Sequence, residues 1–118
     1  MIQKSVLCLL QQPPYLSSRV FETFDALLVA AAFEQKVSLL FRGAGVTGLL
    51  KNQKPSQQRS MSKILQSLEA YEISAVYVDQ ASLQHYNMTV ADCTIKTIAQ
   101  TQQQIAALIN QHDVVLSD

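Results

Sequence analysis

The chain has 118 residues, of which 48% are hydrophobic and only 15% are charged, and nine basic residues balance nine acidic ones. A formal net charge of zero creates no global field that would attract nucleic acid or an anionic membrane, so we expect neither as a direct partner. So low a charged fraction is unusual for the surface of a monomer, and we therefore expect an oligomer.

Targeting signals are not expected. The apolar run at residues 6–10 is too short for the core of a signal peptide, and no small-residue cleavage site follows it. The longest apolar stretch, residues 26–33, is far below the ~18 residues that a membrane helix requires. These features predict a cytoplasmic protein that does not enter the membrane.

Strand and helix patterns alternate along the chain. Continuous apolar runs at residues 6–10, 37–41 and 75–78 predict strands that are buried on both faces. A helical stripe follows Ser17 and Ser18, either of which can cap its first turn. Its apolar members are Phe21, Phe24, Leu27, Leu28, Ala31 and Ala32.

The second half of the chain continues this alternation. One or two helical turns are expected over residues 46–51, a helix over residues 57–70 and a short helical turn at residues 82–85. A weak fourth strand is predicted near residues 93–96 and a fifth at residues 114–116. The last helix is marked by Ile98, Ile105, Leu108 and Ile109.

This order predicts a single domain, residues 1–118, with a mostly parallel five-stranded sheet and helices on both of its faces. Ligands of such sheets bind beyond the carboxyl ends of the strands. The positions that could carry chemistry are therefore residues 11–18, 42–55 and 79–85.

One glycine pattern offers a specific alternative. Gly43, Gly45 and Gly48 spell G-x-G-x-x-G, as in a dinucleotide-binding turn. Such a turn must open a long helix, normally after the first strand, whereas this one follows the second strand and residues 52–55 stop any helix early. We interpret the glycines as a tight turn that needs positive φ or close backbone approach, and we predict no cofactor.

The remaining reactive side chains give weak signals. Cys8 lies within an apolar strand and is expected to be a neutral core thiol, while Cys93 is expected to be better exposed, with no neighbouring cation to favour a thiolate. His85 and His112 have no metal-ligand spacing, so no metal site is predicted. A loose basic group is either solvated loop charge or a docking surface for an acidic partner; it comprises Arg42, Lys51, Lys54 and Arg59.

Several motifs in the first two thirds of the chain match a known family. They are Arg19-x5-Asp25-Ala-Leu-Leu28, Gly45-Val-x2-Leu-Leu50-x2-Gln-Lys-Pro55, Tyr71-x-Ile73, and Ser82-Leu83 after a strand. The chain thereby resembles the TusC/DsrF subunits of the DsrE/DsrF/DsrH-like sulfur-relay family, most specifically over residues 45–55. The resemblance implies a three-layer α/β/α sandwich. It offers as interface or loop candidates Arg42, Gly45, Leu49, Leu50, Gln53, Lys54, Pro55, Asp79 and Ser82.

The resemblance also implies a function. TusB-, TusC- and TusD-like subunits form a heterohexamer that passes persulfide sulfur to a downstream acceptor and a tRNA-modifying enzyme, which 2-thiolates the wobble uridine. The related DsrEFH complex acts in sulfur oxidation. The relay cysteine of TusD/DsrE-like subunits corresponds to the region of Asp79, where this chain has no thiol. We therefore expect a subunit that is not an enzyme by itself; the alternatives are a DsrF-like subunit and a stand-alone carrier that uses Cys93.

Overall fold

The computed structural model describes residues 3–12, 19–33, 35–50, 65, 66, 68, 73 and 75–118. The predicted helix at residues 57–70 therefore lies largely outside the described residues, as do the candidate caps Ser17 and Ser18. Among the described residues, no helix is both long enough and apolar enough to cross a membrane.

Strands and helices alternate from the start to the end of the described chain. The strands are β1 (Ser5–Leu10), β2 (Lys36–Phe41), β3 (Ala75–Asp79), β4 (Ile98–Gln100) and β5 (Val114–Ser117). The α-helices are α1 (Arg19–Ala32), α2 (Gln80–His85) and α3 (Gln102–Gln111). Two 3₁₀ helices, Gly43–Leu49 and Val90–Asp92, complete the described elements.

The five strands form one parallel sheet in the order β4-β3-β2-β1-β5. The interior strand β1 pairs with β2 on one side and with β5 on the other, so that Cys8 lies between Leu39 and Leu116. The predicted five-stranded parallel architecture is confirmed.

Helices cover both faces of this sheet. Val6, Cys8 and Leu10 point to the face covered by Phe24 and Leu27 of α1, in a cluster that also contains Leu83 of α2. Leu7, with Leu40 of β2, points to the opposite face and packs against Ile105 and Leu108 of α3. Because neighbouring strand residues point to opposite faces, a continuous apolar run is what a doubly covered strand requires. The three-layer α/β/α sandwich is confirmed.

The predicted position of the fourth strand was wrong. Residues 93–96 do not join the parallel sheet; Cys93 forms an isolated antiparallel bridge with Leu50, and the Thr94 amide donates to the Leu49 carbonyl at 2.7 Å. The strand is Ile98–Gln100, and Ile98 pairs with Tyr77 of β3 instead of belonging to the last helix. The helix starts later because Thr101 caps it, accepting a hydrogen bond from the Gln104 amide at 3.3 Å.

Two smaller expectations also need correction. The helical turn after β2 starts at Gly43 rather than at Val46 and is a 3₁₀ helix. In β3 only Val78 and Asp79 are buried, whereas residues 75–77 are half-buried, because β3 is covered at its carboxyl end more completely than at its start.

The amino ends of β1 and β5 are joined by a carboxylate. Asp113 Oδ2 accepts hydrogen bonds from the Ser5 backbone amide at 2.9 Å and from Ser5 Oγ at 3.1 Å. The backbone donor is the main reason why the pKa of Asp113 lies below its usual 3.8, followed by the Ser5 hydroxyl. The hydrogen bonds from Ser5 therefore stabilise the ionised form of the Asp113 carboxyl group relative to its protonated form.

Asp113→Asn is expected to lower the stability of the chain at neutral pH, with a difference that disappears in acid. The pKa of Asp113 is lower in the folded chain than in the unfolded chain, so its stabilising effect is complete above the unfolded-state value of 3.8. This effect is lost as the pH falls from that value through the lower pKa of the folded state. Urea unfolding of both proteins between pH 7 and pH 3 measures this convergence. Ser5→Ala is the matched control: it keeps the larger backbone contribution and should retain most of the pH dependence. A difference that stays constant with pH would contradict the assignment.

Candidate functional site at the carboxyl edge of the sheet

The carboxyl ends of the strands meet at one edge of the sheet because the strands are parallel. The chain leaves β3 toward α2 on one face, while it leaves β4 toward α3 on the other face. This divergence makes the gap between β3 and β4 a topological switch point, which is where α/β sheets bind their ligands. The residue at the end of β3 is Asp79.

Hydrogen bonds surround the Asp79 carboxylate. Oδ1 accepts from the Ala81 amide at 3.1 Å and from Gln102 Nε2 at 3.0 Å, and Oδ2 accepts from Ser82 Oγ at 2.8 Å. Ser82 Oγ accepts in turn from the Gly43 amide at 2.8 Å. We call these five residues the Asp79 cluster. It joins the loop after β2, the end of β3 and the start of both α2 and α3.

The geometry of the Asp79 cluster favours a structural carboxylate. Asp79 is only 7% exposed, and both of its carboxylate oxygens accept hydrogen bonds from groups of the same chain. A general base needs an oxygen directed at a substrate proton, whereas these oxygens are directed at the protein. The cluster thus fills the switch point with internal contacts.

A second polar group lies at the carboxyl ends of β1 and β5. Gln11 Oε1 accepts from Arg42 Nε at 3.1 Å, and Gln11 Nε2 donates to Ser117 Oγ at 2.9 Å. The Asp118 carboxylate accepts from the backbone amides of Gln11 and Gln12 at 2.9 and 3.2 Å. Arg42, an interface candidate from the sequence, is half-buried and uses its Nε within the chain.

The glycine turn is built for close packing and not for a phosphate. Gly43 has φ +57°, and a Cβ on Gly45 would lie 1.9 Å from the Leu10 carbonyl oxygen. The amide of Gly43 donates to Ser82 Oγ, and that of Gly45 donates to the Arg42 carbonyl. A phosphate cradle requires such amides to be available. The interpretation of Gly43 and Gly45 as a tight turn is confirmed.

Both cysteines are buried. Cys8 is fully buried as expected, and burial, with a smaller contribution from Asp118, raises its pKa to about 12. The expectation that Cys93 is better exposed was wrong: it is 4% exposed, and its thiol lies 3.8 Å from the Thr89 carbonyl oxygen. The bridge pairs Cys93 with Leu50, the residue directly after the 3₁₀ helix of the glycine turn.

The other candidates from the sequence are distributed as follows. Gly45 and Leu49 are buried, Leu50 and Ser82 are half-buried, and Gln53, Lys54 and Pro55 lie outside the described residues, together with Lys51 and Arg59. His85 is exposed and packs edge-to-face on Tyr86, with 4.9 Å between ring centroids. The described residues contain no group of three His, Cys, Asp or Glu side chains that could hold a metal ion.

A groove of about 640 Å³ lies away from this edge, beside the first residues of β3 and β4. Its described lining is mainly aliphatic, from Leu65, Leu68, Ile73, Val76, Ile95 and Ile98, with Gln66 and Lys96 as polar members. The groove offers apolar contact area rather than a set of converging reactive groups.

Sequence reasoning missed Gln102 as a member of the site. The predicted fourth strand ended at residue 96, so the residues after Gln100 were not considered as strand-end positions. The capping pair Thr101 and Gln104 was the signal that could have located the helix start, and with it Gln102.

The fold and site together define a class: a three-layer α/β protein whose described carboxyl edge is closed by its own hydrogen bonds. The model of the DsrE/DsrF-like family matches residues 4–117, so the chain belongs to this family.

Relatives within the family agree with this assignment. A Protein TusC homolog of Vibrio parahaemolyticus is 31% identical over 92% of this chain and 94% of its own length. An intracellular sulfur oxidation protein DsrF of Allochromatium vinosum is 31% identical over 77% of this chain and 68% of its own length. The crystal structure of the ychN protein from E. coli has the same fold, with a TM-score of 0.86 at 19% identity over 99% of this chain and all of that one.

Proposed function

We propose that this chain, as a single DsrE/DsrF-like domain, is a non-catalytic subunit of a sulfur-relay complex in the cytoplasm. Its partners would be TusB- and TusD-like subunits in a heterohexamer, and the sulfur would pass as persulfide toward 2-thiolation of the tRNA wobble uridine. The two relatives named TusC homolog and DsrF support a place in sulfur metabolism.

One observation carries the non-catalytic role. Persulfide relay needs a nucleophilic thiolate that is accessible to its donor and acceptor. At the end of β3, where the family resemblance expects the relay thiol, the chain has a buried carboxylate held by three hydrogen bonds. A carboxylate cannot carry sulfane sulfur, and its charge would oppose a nearby thiolate.

The two cysteines support the same role. Cys8 and Cys93 are the only cysteines of the chain, and both are described and buried. The raised pKa of Cys8 keeps it protonated at neutral pH, so that it is a poor nucleophile. The burial of Cys93 counts against the alternative of a stand-alone carrier that uses this residue.

Sulfur loading of the co-expressed complex tests this proposal. After incubation with a cysteine desulfurase and cysteine, intact-mass measurement should find added sulfur on the TusD-like partner and none on this chain. A double variant, Cys8→Ala with Cys93→Ala, should load the partner as well as the wild type does. Alkylation with iodoacetamide provides the accessibility control, because both thiols should react in urea and neither in the folded complex.

Two results would count against the proposal. Sulfur on this chain that Cys93→Ala abolishes would identify it as a carrier. Failure of TusB- and TusD-like subunits to co-purify with this chain would contradict the proposed heterohexamer.

A DsrF-like role in sulfur oxidation is the second candidate, favoured by the match to the DsrF protein. Deletion of the gene separates the two roles. The tRNA role predicts loss of 2-thiouridine from the affected tRNAs and its recovery with the cysteine-free variant. The oxidation role predicts unchanged tRNA and impaired consumption of stored or reduced sulfur.

A further inference from the structure

We draw no further inference here: the strongest candidate, the open edge of the sheet along β5, where Val115 and Leu116 expose apolar side chains on opposite faces, carries none because nothing in the structure shows what covers it.

Discussion

Gly45→Ala is expected to destabilise the chain by about 3 kcal/mol or more, because the new methyl group would overlap the main chain of β1. Its Cβ would lie 1.9 Å from the Leu10 carbonyl oxygen and 2.7 Å from the Leu10 carbonyl carbon. Neither atom can rotate away as a side chain would. The same oxygen accepts the Arg42 amide at 3.1 Å, so moving it also weakens the link between β1 and the loop after β2.

Gly43→Ala is the matched control for this effect. Its Cβ would be 3.9 Å from the nearest atom, the Gln11 carbonyl oxygen, so the only cost is that of φ +57° for a residue with a side chain. That cost is about 1 kcal/mol. Urea unfolding of the three proteins should therefore rank wild type, Gly43→Ala and Gly45→Ala in falling stability. If Gly45→Ala were as stable as the wild type, the glycine turn would not lie against β1 as described.

Asp79→Ala is expected to be the second most damaging of these changes, at about 2 kcal/mol, because it removes a buried carboxylate that accepts three part-buried hydrogen bonds. The Ala81 amide, the Ser82 hydroxyl and the Gln102 side chain all donate to this carboxylate. Asp79→Asn should cost less, since its amide oxygen can still accept from two of these donors. Thermal unfolding measures the order of the variants.

Ser82→Ala separates the two parts of the Asp79 cluster. It removes the acceptor of the Gly43 amide and one donor to Asp79 but keeps the Ala81 and Gln102 contacts, so we expect about 1 kcal/mol. Hydrogen exchange should show the Gly43 amide losing protection in both variants, and the Ala81 amide only in Asp79→Ala. Equal stability of wild type and Asp79→Ala would contradict the structural role. In the sulfur-loading assay, the folded Asp79→Ala variant should still allow sulfur to load on the partner. If Asp79 were a catalytic carboxylate, its removal would prevent that loading.

The sequence was sufficient for the layers of the fold. The uninterrupted apolar runs of β1 and β2 predict strands whose two faces are both covered by helices. The apolar stripe that contains Phe24 and Leu27 predicts which side of α1 packs against the sheet. The short, mostly exposed strand β4 was misplaced because the apolar Ile95 and Ile98 fit a strand and a helix equally well. Periodicity over so few residues does not separate the two, and pairing with β3 decides it.

The sequence predicted which segments form the site but not which residues in it contact each other. Asp79 and Ser82 were identified at a strand end, but their link to Gly43 and Gln102 joins segments that are far apart in the sequence. Cys93 was expected to be better exposed because it stands among polar neighbours; in the structure the Leu50 segment pairs with it. Burial of a single residue in a loop depends on which distant segment covers it, which local composition does not encode.

By itself, the sequence determined the class of fold, its family and the absence of a thiol at the end of β3, because strand patterns and motif residues are local properties of the chain. Only the tertiary structure decided that Gly45 is required by contact with Leu10, that both cysteines are buried and that the Asp79 carboxylate is satisfied internally. Each of these depends on distances between residues remote in sequence, and those distances exist only after the strands pair and the helices cover them.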